Sequence, residues 1–287
     1  MKRRAWLKYA AGSVLLWAAG CANGKKQASV EKEKAAAAPE AEGVHTEEDE
    51  GVRISWIQDN AQERRMPNSL FQGADSALIQ KLSPEGGVLA SVSCFLVEKE
   101  GRRALFDTGV GAADSRLLQG LNALGVSPEA VDYLFLTHFH GDHIGGMMRE
   151  GRVVFPKAEV YASQKEYDAW MQMPADKNAQ VVKTMDAYRE RLHLFAFDDV
   201  LPGGVKSLDG VGHTPGHTLY QVGNFLVVGD LMHGTALQLT HPEICASYDM
   251  DMPRAVKTRK RYLAYARSEG LTLAGMHFPP EGFIALK

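Results

Sequence analysis

The strongest constraint on this chain is an apolar run, Val131-Asp132-Tyr133-Leu134-Phe135-Leu136, that ends in Thr137-His138-Phe139-His140-Gly141-Asp142-His143. The run is short, aromatic and branched, so it reads as a buried strand. Three imidazoles and a carboxylate crowded at its end cannot be desolvated without partners, because each unpaired polar group costs several kcal/mol. A divalent metal resolves the conflict, since imidazole nitrogen and carboxylate oxygen are ligands that zinc favours. A solvated, histidine-rich loop is the plain alternative, and the rest of the chain speaks against it.

From Arg53 to Lys287 the pattern is globular. Ile54–Ile57, Ser91–Val97 and Arg103–Phe106 read as strands, the last two forming a hairpin turned at Lys99-Glu100-Gly101. Helices are expected over 115–124, from Ser127, over 163–172, over 176–192 and over 253–268. Pro253 opens the last of these and Gly270 closes it. Phe225–Val228 and Leu271–Met276 are the late strands. Strands before, between and after helices predict an α+β fold, with sheets covered on the outside by helices. Polar groups recur at strand ends: Asp107, the His138–His143 cluster, Asp230 and His277. A tight loop, Gly212-His213-Thr214-Pro215-Gly216-His217, holds two more histidines.

The order His-x-His-x-Asp-His, Gly-His-Thr-Pro-Gly-His, Gly-Asp and a late His resembles the metallo-β-lactamase superfamily over nearly all of residues 53–287. The resemblance implies an αββα sandwich of two mixed sheets with outer helices, its site at one rim. It implies two divalent metal ions, zinc being the first expectation. His138, His140 and His213 would hold one ion, and Asp142, His143 and His277 the other. Asp230 would bridge both, a hydroxide forming the second bridge. Asp142 would also orient the nucleophile, making Asp142 and Asp230 the expected catalytic pair. Asp107 would accept a hydrogen bond from the far nitrogen of a ligand ring. The family pattern favours His213 over His217, which is expected in a structural role. His233 is left open between a supporting role and none, and His45 and His193 are expected at the surface.

The closest local likeness is to the methyl parathion hydrolase and N-acyl homoserine lactonase-like branch. It rests on Gly212–Thr218, Gly229-Asp230-Leu231 and the stretch from Phe155 to Trp170. It implies a small-molecule ester, lactone or phosphotriester as substrate. A thioesterase or β-lactamase-type hydrolase, or a metal-binding lipoprotein without turnover, stays open. Specificity is expected from 66–86, from the region around Trp170 and from 231–252. Met232, Leu237 and Leu239 could line a pocket or simply pack the core.

The chain has 287 residues and a net charge of −3, with no basic block of the kind that binds nucleic acid. Residues 1–21 read as a signal segment. Lys2-Arg3-Arg4 resembles a twin-arginine (Tat) export signal, and Ala18-Ala19-Gly20-Cys21 resembles a lipoprotein cleavage box. The apolar stretch between them is too short to span a bilayer. Cys21 is the lipid anchor this resemblance implies, with simple signal cleavage, an uncleaved anchor and an ordinary basic n-region left open, and an exported, membrane-tethered protein of the periplasm or cell envelope is the expected localisation. Residues 22–52, alanine-rich and then acidic, are expected to be a disordered tether. Cys94 reads as a buried thiol, and its pairing with Cys245 is open.

Overall fold

Strands whose two faces are both apolar must be covered on both sides, and that requirement sets the architecture here. The computed structural model describes residues 41–286. The signal segment with Arg3, Arg4 and Cys21, and the tether as far as residue 40, lie outside the described residues.

A seven-stranded sheet runs in the order Val44–Asp49, Val52–Gln58, Ser93–Lys99, Arg102–Phe106, Tyr133–Phe135, Glu159–Ser163, Leu192–Phe195. Its first four strands pair antiparallel and the later ones parallel. A six-stranded sheet runs Val200–Leu201, Val205–Asp209, Thr218–Val222, Phe225–Gly229, Thr272–Gly275, Phe283–Ala285. Side chains alternate across each strand. Phe95 and Val97 point to the second sheet, while Cys94 and Leu96 point to the helices over residues 117–185. Phe225 and Val227 face the first sheet, while Leu226 and Val228 face Tyr262 and Leu263 of the helix Met252–Glu269. Two sheets lie face to face with helices outside, an αββα sandwich.

Phe106, Phe135 and Tyr220 lock the sheets together, with ring centroids 5.2–5.5 Å apart. Each such pair adds about 0.5–1.5 kcal/mol beyond its buried area. The Tyr220 hydroxyl donates to the Leu136 carbonyl at 2.6 Å, fixing the second sheet to the strand end that carries the histidines. The helix Met252–Glu269 begins with Pro253 in its first turn under an Asp251 cap and ends on left-handed Gly270, as its sequence signals predict. No helix among the described residues is long and apolar enough to cross a membrane.

Two expectations are corrected. Disorder was expected through residue 52, yet Val44–Asp49 is an edge strand paired to Val52–Gln58 through a turn at Glu50-Gly51. Both turn residues have positive φ, the conformation a two-residue hairpin needs. An acidic segment with few apolar residues can still join a sheet, because the ladder is made by backbone groups and only Val44 is buried. The helix expected over 176–192 ends at Ala187, because Leu192–Phe195 finds a parallel partner in Glu159–Ser163. His193 thus stands on a strand, exposed and paired with Glu159, and not at a helix end.

The segments 66–86 and 231–252 meet. Gln72 and Phe71 pair with Cys245 and Ala246, and Met66, Leu70, Phe71, Val88, Leu237 and Ile244 share one small core. Leu237 belongs to that core and Met232 to the helix-side core of the second sheet, where Leu239 packs against it. All three are packing residues. Cys94 and Cys245 are both free and buried.

Candidate metal centre

His138 and His140 flank Phe139, whose ring is buried in the helix-side core, so both imidazoles turn toward the rim. The four-residue helix Gly141–Ile144 then turns Asp142 and His143 inward. Asp230 follows Gly229 at the end of Phe225–Gly229. Gly229 has φ +51, and a Cβ there would lie 2.6 Å from His217 Nε2, so only glycine lets this backbone pass. His217 accepts from the Asp230 N–H at 3.0 Å and donates to the Gly210 carbonyl at 3.0 Å. It orders the loops and sends no nitrogen into the site.

The seven residues expected as ligands come together in two groups around Asp230. Asp230 Oδ2 lies 3.2 Å from His213 Nε2 and 3.7 Å from His138 Nε2. Its Oδ1 lies 3.1 Å from His143 Nε2 and 3.3 Å from His277 Nε2. His140 turns the other way and presents Nδ1, 2.9 Å from His138 Nε2 and 3.0 Å from His213 Nε2. Asp142 completes the second group, its Oδ2 3.5 Å from His277 Nε2.

The outward nitrogens are held. His143 Nδ1 donates to Asp107 Oδ2 at 2.6 Å, His213 Nδ1 to Asp249 Oδ1 at 3.0 Å, and His277 Nδ1 to the Ser91 carbonyl at 2.9 Å. Thr137 Oγ1 donates to Asp107 at 2.6 Å and takes the His138 Nδ1–H at 3.0 Å. These bonds choose the tautomer that leaves Nε2 lone pairs facing inward, as a metal requires. Asp107 has φ +57, a conformation side chains other than glycine adopt at a cost of about 1–3 kcal/mol.

A divalent ion fits this donor set. His143 Nε2 and Asp230 Oδ1 are buried, adjacent and without a hydrogen-bond partner. Each such orphan costs about 1–3 kcal/mol, and a cation shared between the groups would satisfy both. Burial pulls His138 well below the usual imidazole value and, seconded by His213, takes His140 to about 3. Burial also acts on His213, yet Asp230 and Asp249 carry it up to about 9. Asp230, His277 and His143 form a like balance: burial opposes the carboxylate, and the facing imidazoles hold it far below the ordinary range. Asp142 is lowered too, His143 and His277 outweighing burial.

Residues 87–277 match the family described as the metallo-beta-lactamase superfamily. The chain belongs to that superfamily. Among solved structures, the beta lactamase superfamily hydrolase AbOPH is 29% identical with a TM-score of 0.76, covering 85% of this chain and 92% of that one. AidC, a dizinc quorum-quenching lactonase in complex with a product, has a TM-score of 0.78 at 23% identity over 85% of this chain and 94% of that one. That likeness is one of fold. An N-acyl homoserine lactonase from Bacillus sp is 24% identical over 165 residues, 50% of this chain and 62% of the relative. The chain spans 32%, 10% and 16% of the length of the first curated relatives it matches.

Four further residues support this superfamily site, and two of them, Glu166 and Arg259, gave no local signal in the sequence. Glu166, three positions after its helix cap Ser163, is buried and accepts from four donors. They are Phe139 N–H and Trp170 Nε1 on one oxygen, Thr214 Oγ1 and Gly216 N–H on the other. It thereby joins the His138–His143 loop to the Gly212–His217 loop. Trp170 is buried, with its ring edge-on to His140 at 5.7 Å, so it supports a ligand and does not line the opening. Arg259 is wholly buried and donates to the carbonyls of Leu231, Pro242 and Ile244 and to Asp249, backing the Asp249–His213 pair. His233, left open above, donates from Nε2 to Asp230 Oδ2 at 3.0 Å and stacks on His277 at 5.2 Å.

Proposed function

We propose that the protein is a binuclear metal-dependent hydrolase acting on an ester, lactone or phosphotriester. The observation that carries this reading is Asp230, whose two oxygens face two separate imidazole groups. His138, His140 and His213 would hold one ion and Asp142, His143 and His277 the other, both shared by Asp230. When bound, such a pair, zinc being the favoured metal, supplies Lewis-acid activation of water and stabilises charge on the attacked and leaving oxygens. The chain's own residues supply the rest. Asp142 is partly exposed, lines a cavity of about 500 Å³ and stays ionised, so it can orient an entering water and accept its proton. The cavity has the size of a small-molecule site. Asp107, Asp249 and Ser91 keep the rings turned, so no reorganisation is needed when substrate arrives. The AidC and N-acyl homoserine lactonase likenesses support lactones as the first class to try.

Metal analysis of the purified protein, with assays on lactones, aryl esters and phosphotriesters, tests this reading. The expected result is two ions per chain and turnover of at least one class. Two ions with no turnover on any class would overturn the hydrolase reading, and fewer than one ion would overturn the site.

Export and tethering through Cys21 are part of the same proposal, supported by Arg3-Arg4 and Ala18-Ala19-Gly20-Cys21. Cys21→Ser should release the protein from membrane fractions, and an unchanged distribution would refute the anchor.

A further inference from the structure

The cavity that reaches the candidate metal centre is also lined by a cation that nothing among the described residues neutralises. Arg64 and Met66 stand two apart on the strand Arg64–Pro67, so both side chains leave the same face and line the cavity. Arg65, on the other face, is paired twice, with Glu63 at 3.0 Å and Glu85 at 2.5 Å. The exposed Arg64 side chain has neither an ion pair nor a hydrogen bond among the described residues, and it is the one Lys or Arg lining this cavity. Val110 and Tyr248, 43% and 50% exposed, form an apolar lip beside it. The carboxylates of the cavity, Asp142 and Asp230, both lie in the donor groups.

Those facts sort substrates by charge. A cationic group entering here has no carboxylate left to meet. A neutral group finds the apolar faces of Val110 and Tyr248 and at most neutral-acceptor hydrogen bonds, weaker than a charge-assisted pair. An oxyanion finds a guanidinium with its donors free, the geometry suited to carboxylate and phosphate. We propose that Arg64 is an anion-recognition site at the cavity mouth, and that the substrate carries a carboxylate or phosphate group apart from the bond that is hydrolysed. This rests on the hydrolase reading and names the substrate class within it.

The test compares two aryl esters with one leaving group, 4-nitrophenyl pentanoate and mono-4-nitrophenyl glutarate, on the zinc-loaded full chain. The Arg64→Met variant should raise KM for the glutarate about fivefold, the effect a well-placed exposed ion pair reaches. Its kcat, and both constants for the neutral ester, should stay the same. Arg64→Lys should restore part of the loss, and about 1 M salt, where the screening length is about 3 Å, should erase the wild-type preference. Equal effects on both esters, or none, would overturn the proposal. Should neither ester turn over, the hydrolase reading is in question separately. Calorimetric binding of glutarate to wild type and Arg64→Met then decides: weaker binding in the variant supports the anion site, and equal binding refutes it.

Discussion

The floor and the mouth of one cavity are built to opposite rules. On the floor, His138, His143, His213 and His277 each have the second ring nitrogen fixed by a named partner, and those partners are themselves held. At the mouth, Arg64, Val110 and Tyr248 are exposed and Arg64 has no partner among the described residues. The floor is fixed by folding, before any ligand arrives. The mouth leaves its interactions to be completed by what enters. The proposed roles therefore assign chemistry to the floor and selectivity to the mouth, and substitutions should separate them.

The largest effect is expected at the centre of the floor. Asp230→Ala removes an oxygen from each donor group, so kcat/KM should fall by about 10³-fold or more. Metal content should drop as well, by elemental analysis. Retained metal would show that Asp230 does not join the groups. Glu166→Gln is next. An amide cannot accept on both sides, so two of four buried donors lose their partner, at a cost of about 3 kcal/mol by urea unfolding. A change under about 0.5 kcal/mol, the range of ordinary surface substitutions, would remove Glu166 from the floor.

Asp249→Ala frees the His213 ring, and competition with a chelator should show one ion bound about 10–100-fold more weakly, the other unchanged. An equal loss at both ions would mean that the change acts on the fold. Acidity gives a smaller, graded effect. His213 is raised to about 9 in the metal-free site, so binding must displace its proton, and affinity should rise from about pH 6.5 to 9, by at most about tenfold per unit. The same raised value stabilises the metal-free protein fully below about 6.5, and that contribution is lost as pH rises through 9. Thermal melts of chelated protein across that window read it; a melting temperature rising toward pH 9 would contradict the assignment. The smallest effect belongs to the mouth. Tyr248→Ala should move stability by no more than about 0.5 kcal/mol while changing KM between substrates of different bulk. A lost metal ion in that variant would join mouth to floor and break the comparison.

The same division governed what could be read in the sequence. The floor's candidate ligands sit at strand ends in short clusters, and contiguity made His138, His140, Asp142 and His143 visible together. Strands such as Phe225–Gly229 and the helix closed by Gly270 were visible because burial on both faces and capping are local. Asp249, Glu166 and Arg259 were not. Each acts on a partner distant along the chain, Asp249 on His213 across 36 positions and Glu166 on Gly216 across 50, and an isolated acidic residue has no periodicity. The early strand Val44–Asp49 was hidden for another reason. Composition reports what a segment can bury, whereas an edge strand is held mainly by backbone.

That edge strand has a consequence for how copies of the protein meet. Val52–Gln58 carries Val52, Ile54, Trp56 and Ile57, all buried, and its outer backbone edge is taken by Val44–Asp49. A chain trimmed to begin at residue 51 would leave that long apolar strand with a bare row of hydrogen-bonding groups, a template for pairing with another molecule. With residues 44–49 in place, the outermost strand is short and carries Glu47, Glu48 and Asp49, whose charges repel a second copy. The acidic stretch just ahead of the sandwich thus serves as a stopper against sheet-to-sheet aggregation.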